Sequence, residues 1–217
     1  MIYICYIKIE KELNTEDFNS YLKQLPKAMQ SQVVKYRRWQ DRQSALFGKL
    51  LLVNGMRVAG YPDFTLDDLQ YSALKRPFVT GTVDFNISHS GAYTMCAITE
   101  EERVGIDIEE IKPIPVTDFK DQFSEKEIQA MLDSSDVHKS FYKLWTQKEA
   151  FLKAIGTGLY FPLNEVFIEN NKIFFDNVDW YLTPLQLDDN YAAHVCSRIK
   201  KPEMTLKMIQ MEQLAAY

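Results

Sequence analysis

The chain has 217 residues, of which 46 % are hydrophobic, 13 % aromatic and 25 % charged, a length and composition that exclude disorder, fibre and any need for disulfide or metal staples. The net charge of −5 divides into 0 over residues 1–102 and −5 over 103–217, so neither half attracts nucleic acid through bulk charge. The longest apolar runs, such as 2–7, fall far short of the ~20 residues of a bilayer span, and 1–10 lacks the basic flank and cleavage site of a secretory signal.

Residues 2–9, rich in Ile and Tyr, predict a strand. Residues 14–61 predict helices, with Asp41 as an N-cap, Leu46, Leu50 and Val53 as an apolar stripe, and Gly60 before Pro62 as the stop signal. Gly48 inside that stretch is either a mild cost or a place where something packs closely. The run Lys35, Arg37, Arg38 and Arg42, interleaved with Tyr36 and Trp39, reads as a solvated helix face with buried aromatics or as a contact for a phosphate-bearing ligand. Residues 83–99 predict two strands around the turn Ser90-Gly91, 100–103 a polar turn, and 104–109 another strand. Pro113 and Pro115 form the strongest break in the chain. Beyond them, Ser124 and Glu127 match a capping box that opens a helix through Leu132. Val137, Phe141, Leu144, Phe151 and Ile155 then recur at helical spacing until Gly156 closes the helix. Residues 159–217 predict strands, with Asp188-Asp189-Asn190 turning between 180–187 and 191–197. Elements that arrive in blocks rather than in strict alternation point to an α+β fold. Three scattered cysteines, Cys5, Cys96 and Cys196, form no CxxC and leave an odd one over, which points to a reducing compartment and hence the cytoplasm.

Three features carry possible chemistry. On a strand over 104–109, Ile106 and Ile108 share one face while Asp107 and Glu109 share the other. Two carboxylates ~7 Å apart repel, so the pair calls either for a cation, with oxygen-only ligation suiting Mg²⁺, or for a polar face in water. In 145–153, Lys148 falls inside the apolar stripe, where it snorkels or binds phosphate, and Glu149 and Lys153 stand one turn apart, as an ordinary i,i+4 pair or as a ligand and its neighbouring cation. Finally, Ser88, His89 and Ser90 run from a strand into a turn, a good setting for an anion. Adjacent Ser88 and His89 make a poor hydrolase pair, and GxSxG, GxxxxGK[ST] and GxGxxG are all absent. His138 and His194 stand alone and read as ordinary surface or core residues.

Asn86-Ile87-Ser88-His89-Ser90, Gly105-Ile106-Asp107-Ile108-Glu109 and Trp145-Thr146-Gln147-Lys148-Glu149-Ala150-Phe151-Leu152-Lys153, in this order across 68 residues, resemble the motifs of the 4′-phosphopantetheinyl transferases, in particular the two-lobed, Sfp-type group. Lys75-Arg76-Pro77 looks like the family's Gly-Lys-Pro segment with Lys75 in place of the glycine. The resemblance implies two similar lobes in a pseudo-twofold arrangement, 1–102 and 103–217, joined near 100–103. The second lobe carries the metal-binding motifs, and the active site lies in the cleft between the lobes. It further implies a monomer that transfers 4′-phosphopantetheine from coenzyme A to a serine of an apo acyl or peptidyl carrier protein, with Mg²⁺ or Mn²⁺.

By the same resemblance, Asp107, Glu109 and Glu149 hold the metal, Glu149 or a water it positions serves as base, and Lys153 faces the pyrophosphate. Ser88 and His89 grip the 3′-phosphate, while Lys75 and Arg76 border the adenine pocket. Met29 and Gln32 stand where the family often has lysines, leaving Lys27, Lys35 or Arg42 as substitutes. Val116, Phe119 and Phe123, at i, i+3 and i+7, are either core or a carrier-docking stripe. Two rivals are a metal-dependent nuclease, disfavoured by the acidic chain, and a non-catalytic carrier-binding module, disfavoured because no acidic ligand is lost.

Overall fold

The computed structural model describes residues 1–100 and 102–214, apart from the side chain of residue 159. The expected lobe junction at 100–103 therefore includes one residue, 101, outside the described ones. Strand β1 (Ile2–Lys8) leads into α1 (Thr15–Leu22), α2 (Lys27–Val33) and α3 (Trp39–Val58). The hairpin β2 (Gln70–Tyr71) and β3 (Pro77–Phe78) follows, then β4 (Asp84–Ser90), β5 (Tyr93–Thr99) and β6 (Val104–Glu110). Helices α4 (Glu125–Leu132) and α5 (Val137–Ile155) precede β7 (Lys172–Phe175), β8 (Val178–Pro184), β9 (Tyr191–Ser197) and β10 (Met204–Met208).

The fold is α+β in two compact units, Met1–Glu101 with Glu203–Tyr217, and Glu102–Pro202. This corrects the assignment of all of 103–217 to one lobe: β10 pairs in parallel with β1, from Ile2 opposite Met204 to Tyr6 opposite Met208. Pro113 and Pro115 do not mark a boundary either. They lie inside the second unit, where the next residue, Val116, is buried with Phe123, Met131 and Phe141.

In the first unit the sheet order is β10-β1-β5-β4, and α3 lies across it. Gly48 is indeed a point of close packing, since a Cβ there would stand 3.1 Å from Ile87 Cγ2; one at Gly55 would run into Ile98 Cδ1. Leu46, Phe47 and Leu51 of α3 join Cys5, Phe85 and Ile98 in the core. The helix begins at Trp39, two residues before the expected cap, so Asp41 sits in the first turn, where a negative charge favours the macrodipole. The basic run is not a helix face over 35–38 but an exposed connector between α2 and α3, and Tyr36 is 48 % exposed rather than buried.

The second unit has sheet order β6-β9-β8-β7 with α5 packed on it. The helix signals hold: Ser124 and Glu127 form the capping box of α4, and α5 ends at Gly156 with φ 81°, a left-handed value that glycine tolerates best. The stripe Val116, Phe119, Phe123 packs into the core of this unit, with Phe119 partly buried at its rim. Phe119 sets its ring 5.0 Å from that of Phe141 and 5.9 Å from that of Trp145, both edge-on, and Val116 and Phe123 are buried.

Candidate active site

Gly105 decides which face of β6 meets α5. A Cβ at this position would run into the Ala150 carbonyl and the Ala154 amide, so only glycine lets the helix backbone settle directly on the strand. Alternation then places Asp107 and Glu109 on that same side, facing the turn of α5 that carries Glu149 and Lys153. The Lys153 ammonium donates to Asp107 Oδ1 at 2.6 Å, and Asp107 is only 3 % exposed. Ile106 and Ile108 are buried on the opposite face. A strand with one face in water is therefore ruled out; β6 is covered on both sides.

The electrostatics tie these residues together. The Glu149 carboxyl is pushed up to about 7, first by burial, then by Asp107 and, more weakly, Glu109, against the pull of Lys153. Three carboxylates and one ammonium leave an excess of negative charge that a hard, oxygen-preferring cation would neutralise. Among the described residues, no three carboxylate, imidazole or thiol groups stand close enough to hold a metal ion together; the positive charge beside Asp107 is that of Lys153. The donor chemistry fits Mg²⁺ or Mn²⁺ if Lys153 gives way at Asp107.

Lys148 neither snorkels nor reaches a phosphate. It is fully buried, donates to Glu127 Oε2 at 2.8 Å and to the Leu163 carbonyl at 3.0 Å, and lies 5.1 Å from the centre of the Phe123 ring. Burial pulls its ammonium below the usual lysine range, and Glu127 opposes that. Glu127 also accepts from the Ser124 amide at 2.8 Å. The pair therefore locks α5, and with it Glu149, to the cap of α4.

In the first unit, Ser88 and His89 end β4, with Ser88 buried and His89 exposed, on opposite faces of the strand. Lys75 is exposed and has φ 62°, the left-handed conformation that explains a glycine at the matching family position. Arg76 is buried and donates two parallel 2.8 Å bonds to Asp84. Its charge is thereby neutralised within the fold. Met29 is buried, Lys27 and Lys35 are exposed, and Arg42 pairs with Glu12 at 3.0 Å.

Sequence reasoning missed three partners: Asp84 for Arg76, Glu127 for Lys148, and Thr146 for His194. A lysine in an apolar stripe demands a carboxylate, and that was the signal for Glu127. His194 is buried opposite Asp107 on β9, with Nδ1 2.8 Å from Thr146 Oγ1. Burial, then Lys143, holds its imidazole down to about 4.

Residues 103–201 match a family model described as the 4′-phosphopantetheinyl transferase superfamily, and 12–101 match one described as 4′-phosphopantetheinyl transferase, N-terminal. The chain is similar to the 4′-phosphopantetheinyl transferase gsp of Aneurinibacillus migulanus, with 31 % identity covering 99 % of this chain and 94 % of that protein. It is also similar to Sfp of Bacillus subtilis (26 %, covering 96 % and 97 %) and to a putative 4′-phosphopantetheinyl transferase of Haemophilus influenzae (30 %, covering 99 % and 96 %).

Proposed function

The chain belongs to the 4′-phosphopantetheinyl transferase superfamily, and from that premise we propose that Asp107, Glu109, Glu149 and Lys153 are its catalytic centre. The reaction moves the 4′-phosphopantetheine of coenzyme A to a serine hydroxyl of an apo carrier protein. A P–O bond to the serine forms, the pyrophosphate P–O bond breaks, and 3′,5′-ADP leaves. The observation that carries the assignment is the four-residue cluster itself: Lys153 donates to the buried Asp107 across β6 and α5, and Glu149 is raised to about 7 first by burial and then by Asp107 and Glu109.

Glu149 takes the serine proton, directly or through a water it positions. Asp107, Glu109 and Glu149 would hold Mg²⁺ or Mn²⁺, which would neutralise the charge that builds on the leaving 3′,5′-ADP. Lys153, released from Asp107, turns its ammonium to the pyrophosphate. Ser88, His89, Lys75 and Arg76 face the nucleotide end of coenzyme A in this reading. Arg76 acts there through the backbone it braces, because its guanidinium is held by Asp84. Among the described residues no helix is long and apolar enough to cross a membrane. We read the protein as a cytoplasmic monomer whose partner is an acyl or peptidyl carrier.

The test is to incubate the protein with coenzyme A, Mg²⁺ and apo carrier proteins, then weigh the carriers. The expected result is a mass gain of one phosphopantetheine that chelator abolishes. Asp107→Ala and Glu149→Gln should lose transfer while still folding and binding coenzyme A. Mg²⁺ should raise the melting temperature of the wild type and not of Asp107→Ala. Full transfer by Asp107→Ala in excess chelator would overturn the assignment.

A further inference from the structure

We propose that a cavity on the second unit, between α5 and the β8–β9 end of its sheet, binds a small organic anion that also carries a hydrogen-bond donor. The cavity measures about 240 Å³ and is lined by Lys139 and Lys143 of α5, His194 of β9, Asn171, Leu185 and Ala193, among others. Asp107, Glu109, Glu149 and Lys153 do not line it. The inference therefore stands apart from the transferase reading.

Charge is the first argument. Lys139 and Lys143 are one helical turn apart, an arrangement in which like charges repel. Neither has an ion-pair partner among the described residues, and no carboxylate lines the cavity. An anion between them would satisfy both.

The second argument is the proton on His194, which is only 4 % exposed. Thr146 Oγ1 lies 2.8 Å from the Tyr142 carbonyl, 3.1 Å from the Lys143 carbonyl and 2.8 Å from His194 Nδ1. A hydroxyl has one proton and a carbonyl can only accept, so the Thr146 proton goes to the helix backbone. Thr146 Oγ1 must then accept from His194 Nδ1–H. A neutral imidazole has only one N–H, so Nε2 carries a lone pair and is the polar atom the ring has left to offer a ligand. Asn171 completes the set. Its Oδ1 accepts from Gln147 Nε2 at 3.0 Å, which leaves the Nδ2 amide as donor.

The array is thus two ammoniums and an amide N–H for an anionic group, and one ring acceptor for a hydroxyl or N–H. Leu185 and Ala193 supply an apolar surface. The volume is below the ~300–1,000 Å³ of sites for drug-sized molecules, so the occupant is small. A short or aromatic hydroxycarboxylate has this chemistry.

The experiment uses the full-length protein and three probes followed by calorimetry and amide NMR shifts: 3-hydroxybenzoate, benzoate, which lacks the donor, and methyl 3-hydroxybenzoate, which lacks the charge. The expected order is 3-hydroxybenzoate, then benzoate about tenfold weaker for one lost hydrogen bond, then the ester weakest. The double variant Lys139→Met/Lys143→Met should weaken 3-hydroxybenzoate by at least about tenfold and leave carrier modification unchanged. His194→Leu, which has no acceptor, should level 3-hydroxybenzoate with benzoate if it stays folded. Where it does not, the benzoate comparison in the wild type reads the same bond. Equal affinity for all three probes, no saturable binding, or undiminished binding by the lysine double variant would each overturn the proposal.

Discussion

The two units build one topology in opposite ways. In each, a first strand leads to a long helix and then to antiparallel strands, the last of which pairs with the first: β1, α3, β4, β5 and β6, α5, β7, β8, β9. In the first unit the room for close approach is made on the helix, at Gly48 and Gly55, and strand side chains fill it. In the second it is made on the strand, at Gly105, and the helix backbone itself descends. The helix-facing side of β1 can then carry Cys5 and Ile7 in an apolar core. On β6 the same side carries Asp107 and Glu109, within reach of Glu149 and Lys153 on the lowered helix. A scaffold becomes a site where the glycine moves from helix to strand.

The largest expected effects test the buried ion pair of each unit. Arg76→Met takes the guanidinium from Asp84 and Lys148→Met takes the ammonium from Glu127, and each should cost about 3–5 kcal/mol in urea unfolding. Lys148→Met should fall at the lower end, since the Glu127 side chain is 19 % exposed and keeps its cap bond. A smaller loss in the first unit than in the second would reverse that ordering.

Next come the glycines. Gly105→Ala should cost about 3 kcal/mol or more, because its methyl meets helix backbone, whereas Gly55→Ala meets the ends of Ile98 and Cys5 and should cost roughly 1–2 kcal/mol. If the two are equal, the contrast between the units loses its basis.

Acid should separate the units as well. The His194 imidazole sits at about 4 in the fold against an ordinary 6.5, so the unfolded chain binds that proton first and the His194 contribution to stability falls as pH drops below 6.5. By pH 5 that loss is about 2 kcal/mol. Glu149, raised to about 7, is protonated first in the fold and contributes with the opposite sign between 7 and 4.5. The His194 part is read as the difference between wild type and His194→Gln in hydrogen exchange of the second unit. His194→Gln should remove that part of the pH dependence.

The smallest effect is a gain. Lys75→Gly relieves a left-handed lysine and should stabilise the first unit by roughly 0.5–1 kcal/mol. An unchanged midpoint would mean that the hairpin loop relaxes at no cost.

Much of this was readable from local signals. The capping box at Ser124, the helix end at Gly156 and the turn near Gly91 depend on residues a few positions apart, and all three hold. Asp107 and Glu109 were legible as a one-faced pair from strand alternation, and Glu149 joined them only through the resemblance to the family's motifs. What escaped was decided across elements. Lys153 donates across the elements to Asp107 on β6, a contact that the spacing of Glu149 and Lys153 on α5 does not announce. Arg76 and Asp84 are eight residues apart, one just before β3 and the other opening β4, and neither carries a local mark of the other. Pro113 and Pro115 report a break in hydrogen bonding, which a boundary shares with any turn.

The pairing of β10 with β1 has a consequence for how the protein is made. At synthesis rates of roughly 5–20 residues per second, the strand that covers the outer edge of β1 emerges on the order of 10–40 s after it. The second unit is one continuous stretch of chain and is complete before then. The unit that leaves the ribosome first is therefore finished last, with an open strand edge in the interval that a neighbouring nascent chain could occupy. Four of the five residues of β10 are exposed, so the strand closes that edge late and shallowly.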